Sequence, residues 1–338
     1  MVKTDYKNIW VYVEQKGGEI ESVSLELCSE GRKLADSCGE RLVAVVIGAQ
    51  TDTACSSVEE TGVDEIIYVK GDEYANYTTD PYVIAMTKLC EKYKPSAVLI
   101  GATSNGRDLA PRLAARLRTG STADATEIIF NPETEDIDWT KPSFGGNLMA
   151  TIVCNKTRPQ IGTVRPATFK RAFPGKKSDL ILTREDISVP SEEIRTRVLE
   201  FIKDEGDDGS KIEEADVVIC VGAGLKSMDQ ISPFQELADL LGGMIGVTRP
   251  LVDKGFYTVK RQVGQSGKII GPKLYIGFGI SGAIQHTAGI TSSEVIVAVN
   301  NNPNAKIFGC AHYAVVGDMF EVASALVEEL KARRNGKS

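Results

Sequence analysis

The side chains best suited to chemistry lie close together near the end of the chain. QVGQSGKIIGPKLYIGFGISGAIQH, residues 262–286, holds six glycines and ends on His286, one of only two histidines present. Glycines that follow a strand let backbone N–H groups approach an anion, and a helix opening at ISGAIQH adds the positive end of a dipole. QVGQSG contributes amides and the hydroxyl of Ser266, VTRP (247–250) contributes Arg249, and VNNNP and VGD contribute Asn300 and Asp318. Groups of this kind fit a ligand seated beyond the carboxyl ends of the strands in a parallel sheet. Taken singly, each has an ordinary explanation: turn glycines, a surface arginine, asparagine turn chemistry, and an aspartate capping the helix that begins at MFEV. Their recurrence at successive strand ends raises them above that. CVGAGLKS (220–227) is neither a dinucleotide fingerprint nor a phosphate loop, because the third glycine and the G-K-[ST] spacing are absent.

The elements that must position these residues are legible from apolar periodicity. NIWVYVE, RLVAVVIG, EIIYVKG and SAVLIGA read as buried strands, separated by helical patterns over residues 23–38, around 56–62, over 79–93 and over 105–120. After about Ala123 strand-like runs are broken by turn residues, which predicts antiparallel additions to the first sheet. A second alternating series starts with ADVVICVG. Ser232 as N-cap, Pro233 and Gln235 predict a capped helix there, followed by strands at KLYIGFGI, EVIVAVN and KIFGCAHYAV (306–315) and a closing helix. The fold class is therefore α/β. It has two domains, each built on a mainly parallel sheet flanked by helices, the first with antiparallel additions. The expected boundaries are 1–202, a charged glycine-containing linker at 203–211, and 212–338.

Composition narrows the classes. A net charge of −7 argues against nucleic acid, and no apolar run approaches the roughly eighteen residues of a membrane span. The seven dispersed cysteines form no C-x-x-C pair and two histidines are poor material for a metal site. The amino terminus reads as neither a signal nor a transit sequence, so the expected location is cytoplasmic.

VGQSGKIIGPKLYIGFGISGAIQH, with GLKS upstream and AVNNNPNAKIF downstream, resembles the flavin domain of the electron transfer flavoprotein alpha subunit. TRPLVDKGF, GATSNGRDLAPRLAARL, STAD, PSFGGN and TVRPATF extend the resemblance over nearly the whole chain. It implies one FAD in the C-terminal domain and a heterodimer in which the beta subunit packs against the N-terminal domain. By the same resemblance Arg249 lies against the flavin ring, the Ser266 hydroxyl near N5, and His286 at the pyrimidine edge close to O2. Gln262, Val263, Gly264, Gln265, Ser266 and Gly267, with Ser281, Gly282, Ala283, Ile284 and Gln285, line the flavin and its phosphates. Asn300 and Asp318 hold the adenosine half, and Thr248 and Met319 complete the cofactor-binding set. Two positions depart from the common pattern: Ser266 stands where threonine is usual, and Ala223 where arginine is frequent.

The implied role is an electron carrier between a flavin dehydrogenase, such as acyl-CoA dehydrogenase, and an acceptor, with an anionic semiquinone stabilised by Arg249 and His286. One fixed arginine at about 4 Å and an effective dielectric near 20 contributes up to ~4 kcal/mol, on the order of 150 mV for one electron. A charge-assisted hydrogen bond from His286 would add roughly 1.5–3 kcal/mol. The same subunit could serve an NADH-oxidising, electron-bifurcating complex that reduces ferredoxin or flavodoxin. Two other classes compete: a thiamine diphosphate or nucleotide enzyme, which would need acidic metal-anchoring motifs, and a structural partner with vestigial glycine loops. No catalytic acid–base pair is evident in the sequence.

Overall fold

A computed structural model describes residues 5–143, 148–200, 211–334 and 336. The chain divides into two compact units, 1–203 and 204–338. All of the expected linker except Lys211 lies outside the described residues.

The N-terminal unit begins with β1 (Ile9–Val13), a short hairpin of β2 (Gln15–Lys16) and β3 (Glu19–Ile20), and α1 (Ser22–Cys38). Then follow β4 (Leu42–Gly48), α2 (Asp52–Glu59), β5 (Glu65–Lys70), α3 (Thr79–Tyr93), β6 (Ala97–Gly101) and α4 (Ser104–Leu117). The remaining strands are β7 (Ser121–Ala125), β8 (Glu127–Asn131), β9 (Asp136–Ser143), β10 (Leu148–Val153), β11 (Gln160–Val164) and β12 (Ile181–Glu185). Seven of them form one sheet in the order β12-β5-β4-β1-β6-β11-β7, and every neighbouring pair is parallel. The antiparallel part is a separate three-stranded sheet, β10-β9-β8. The texture change after Ala123 thus marks two things at once: a small sheet of its own, and further strands that join the main sheet in parallel.

Strand alternation explains the layers. Ile9, Val11 and Val13 feed the core under α1 and α2, whereas Trp10 and Tyr12 feed the core under α3 and α4. Because both faces are covered, the strand reads as an unbroken apolar run. The order reverses between β1 and β6, where a doubly wound sheet opens a crevice at its carboxyl edge. Here that crevice receives the Glu14 carboxylate, which accepts from Thr103 Oγ1 at 2.5 Å and Asn105 Nδ2 at 2.9 Å.

The C-terminal unit comprises β13 (Val217–Val221), α5 (Ser232–Leu241), β14 (Met244–Val247), α6 (Arg249–Asp253), β15 (Leu274–Phe278) and α7 (Ile284–Thr287). It ends with β16 (Val295–Asn300), β17 (Tyr313–Val316) and α8 (Met319–Arg334). Its five strands are all parallel in the order β14-β13-β15-β16-β17. Phe234, Leu237 and Ala238 of α5 pack with Met319, Ala323 and Val327 of α8 on one face of the sheet.

Two expectations need correction. Ser232 is not the N-cap of α5, and Gln235 does not close a capping box with it. A 3-10 turn at Met228–Ile231 already winds the chain, so Ser232 has helical dihedrals of −47° and −50°. The reciprocal box falls one turn earlier, between Ser227 and Gln230, while Gln235 donates to Asp239. Residues 306–315 are not one strand either. Lys306–Cys310 form a 3-10 turn, and only Tyr313–Val316 pair with β16.

Candidate functional site

The order of the second sheet reverses between β13 and β15, so the crevice predicted by topology opens where Gly222 and Gly279 leave these strands. A β-carbon on Gly222 would stand 2.3 Å from the Gly279 carbonyl oxygen. Only glycine lets the two strand exits approach this closely. Beyond them lies a cavity of about 500 Å³, a size usual for small-molecule and cofactor sites.

Three loops wall it. The first follows β14: Thr248 has an extended backbone and Arg249 opens α6, because Pro250 is compatible with a first helical turn. The second is Gln262–Ser266 and the third runs from Gly279 to His286. The last two are stitched together, Gln265 N donating to the Gln285 carbonyl at 2.7 Å. Gly282 supports the third loop with φ +82°; a β-carbon there would meet Ile307 N at 2.1 Å. The helix at ISGAIQH spans only four residues, so its N–H groups are present without a substantial dipole.

Of the expected residues, Thr248, Arg249, Gln262, Val263, Gly264, Gln265, Ser266, Ser281, Ala283, Gln285 and His286 line this one cavity. Asn300 lines a neighbouring groove of about 440 Å³ that shares Gly279, Ser281 and Ala283 with it. Its side chain also braces the fold, donating to the Ile280 carbonyl and accepting from Asn302 N. Gly267, Gly282 and Ile284 belong to the loops but are not on the cavity wall. Asp318 caps α8 through Phe320 N and Glu321 N. Met319 is buried, and a β-carbon on Gly224 or Gly279 would stand 2.6 or 2.7 Å from its sulfur.

Sequence reasoning named Ala223 only as a departure from the family pattern, and did not single out Pro250, Gly279 and Ile280 as wall residues, nor Asn302, Asn304 and Lys306 in the groove. The signal was position: the wall residues lie at strand exits or beside residues already chosen, and the groove residues follow Asn300 at every second position.

The polar groups carry specific capacities. Ser266 Oγ accepts from Gln262 Nε2 at 2.9 Å, which leaves its own O–H to donate elsewhere. Thr248 Oγ1 is buried with no protein partner. Thr248 therefore lines the cavity while its hydroxyl is turned into the protein. Arg249 is 68% exposed along its side chain and lies 3.6 Å from Asp253 Oδ2.

His286 differs from the expectation of a charged donor. The residue is 7% exposed, with Nε2 2.7 Å from the Tyr275 hydroxyl and Nδ1 3.0 Å from the Val263 carbonyl oxygen. Burial pushes its pKa down to about 4, with the Val263 hydrogen bond opposing. At neutral pH it is an uncharged imidazole with both nitrogens engaged inside the protein. The ring thus differs from the charge-assisted donor that the resemblance implies: desolvation outweighs the single supporting carbonyl, and both nitrogens already have protein partners.

The electron transfer flavoprotein domain matches residues 9–186 and the electron transfer flavoprotein FAD-binding domain matches residues 211–291. The electron transfer flavoprotein subunit alpha of Thermoanaerobacterium thermosaccharolyticum is 45% identical, over 97% of this chain and 98% of its own. This chain belongs to the electron transfer flavoprotein alpha-subunit family. The subunit of that name from Clostridium acetobutylicum is 41% identical over 99% of this chain and all of its own. A relative from Anaerotignum propionicum, named acryloyl-CoA reductase electron transfer subunit beta, is 37% identical over 98% and 97%. Membership makes FAD the cofactor of the C-terminal unit. The donor left on Ser266 and the glycine-lined strand exits fit it. No helix among the described residues is long and apolar enough to cross a membrane.

Proposed function

We propose that this chain is the FAD-bearing half of a heterodimeric carrier, passing electrons from a flavin dehydrogenase of the acyl-CoA dehydrogenase kind to an acceptor. The bound flavin supplies the redox chemistry, taking up and releasing electrons one at a time. The chain's residues hold it and set its surroundings. Ser266 offers a hydroxyl to the heteroatom edge of a ring in the cavity, and Thr248 lines the wall beside it. Arg249, opening α6 at the cavity rim, is the one cation on the cavity wall among the described residues, since His286 is neutral. It favours whatever negative charge reduction leaves on the ring. The shared Gly279, Ser281 and Ala283 lead from that cavity to the Asn300 groove, where the adenosine half is assigned.

The N-terminal unit is assigned to the beta subunit, and β10 is the surface we assign to the contact. It is an edge strand with Met149 58% and Ile152 41% exposed on opposite faces. An apolar edge left with unpaired backbone groups calls for a covering chain.

The observation that carries the proposal is the convergence of Thr248, Arg249, Ser266 and His286 on one cavity at the switch point of the second sheet. The test is stepwise anaerobic reduction of the chain co-expressed with its partner subunit, followed by absorbance. One flavin per heterodimer, reduced in separable one-electron steps by a dehydrogenase and its substrate, supports the carrier. Two flavins reducible by NADH would replace it with the bifurcating complex. A colourless heterodimer that takes up no FAD would overturn both.

A further inference from the structure

The buried face of the His286 ring leads away from the cavity into the core of the C-terminal unit. Tyr275, on β15, is fully buried, and its hydroxyl lies 2.7 Å from His286 Nε2. Behind it Cys220, on β13, is also fully buried and hydrogen-bonded to the same hydroxyl. The Val263 carbonyl can only accept, so the 3.0 Å contact places the ring proton on Nδ1. Nε2 then carries the lone pair, and the tyrosine O–H must be its donor.

We propose that Tyr275 is a positioning residue for the flavin pocket: its hydroxyl fills the Nε2 lone pair of His286 and holds the imidazole uncharged against the cavity wall. The inference rests on the assignment of that cavity to FAD. Its consequence is electrical. The groups facing the ring are Tyr275, with Cys220 and Cys310 near the tyrosine, and Arg249 on the cavity side. Burial drives both thiols and the phenol upward, so they stay protonated, and the imidazole stays neutral. Arg249 is thus the fixed charge beside the ring, and the potential of the cofactor gains no pH dependence from His286 through the neutral range.

The second histidine provides an internal reference. His312 Nδ1 accepts from Ile296 N at 2.9 Å, so its proton is on Nε2, the opposite tautomer. The experiment labels the histidine ring nitrogens of this chain with ¹⁵N, assembles it with its unlabelled partner subunit, and follows the ring signals from pH 5.5 to 8.5. One Nδ1–H ring that does not titrate, beside one Nε2–H ring, is expected. A proton on Nε2 of His286, or titration of that ring within the range, would overturn the proposal without any variant. In Tyr275→Phe, compared with the wild type from pH 3.5 to 7, the His286 midpoint is expected to rise by about one pH unit, the equivalent of one lost hydrogen bond to the neutral form. The first reduction potential of bound FAD should then fall more steeply between about pH 5 and 6 than in the wild type. Superimposable ring titrations and potential–pH lines for variant and wild type would reduce Tyr275 to a core-filling residue. Flavin content is read on the same samples. Absent flavin with the expected wild-type ring signals would fault the FAD assignment and leave the Tyr275–His286 geometry standing.

Discussion

The family resemblance implies similar tasks for Arg249 and His286, yet the structure separates them by solvation. The arginine keeps its charge but is largely exposed and shares it with Asp253. Water screens such a charge, so its effect lies between about 1 kcal/mol at the dielectric of bulk water and about 4 kcal/mol at an effective value of 20. For a one-electron couple this is roughly 40 to 150 mV, and the exposure favours the lower half. Arg249→Ala should lower the first reduction potential of the bound FAD by some tens of millivolts, measured by spectroelectrochemistry. An unchanged potential would remove the arginine from its assigned role. His286 lies at the other limit, where burial removes the charge altogether. Residue type alone could not reveal this, because the neutralising partners, Tyr275 and Val263, come from a strand and a loop 11 and 23 residues away.

Among the elements, the loops of the site are held by backbone contacts that tolerate no side chain. Gly282 combines a positive φ with the closest such approach, 2.1 Å to Ile307 N. Gly282→Ala should force the third loop away from the turn at Lys306–Cys310, at a cost of at least about 2 kcal/mol. The expected outcome is a lower urea midpoint and FAD lost on gel filtration; full flavin retention would show the loop can shift without opening the site. The strand and helix order around these loops was legible because strands buried on both faces are unbroken apolar runs and helices show a clear stripe. Capping was less so. Ser227 and Ser232 both stand three residues before a glutamine, and the 3-10 turn at Met228–Ile231 decided between them. Residues 121–164 also resisted, since strands of the separate sheet and of the parallel sheet alternate there with similar local patterns. Partner choice is set by contacts distant in sequence, such as β11 against β6.

At the scale of the whole molecule, each core draws its residues from one unit, and each unit has its own parallel sheet. The C-terminal unit contains the whole cavity wall, whereas the N-terminal unit exposes the apolar edge of β10. A charge on that edge should block assembly and spare the cavity. Ile152→Lys is expected to shift the co-expressed protein from heterodimer to separate subunits in light scattering. A heterodimer of undiminished stability would place the interface elsewhere.

The two sheets reverse strand order in the same way, but their crevices have different tenants. In the N-terminal unit the Glu14 carboxylate is itself the anion, bound by Thr103 and Asn105 at the mouth of α4. In the C-terminal unit the corresponding place is bounded by two glycines and remains wide enough for a cofactor. A chain built twice on one architectural plan thus leaves one berth open, while a side chain from its own backbone already fills the other.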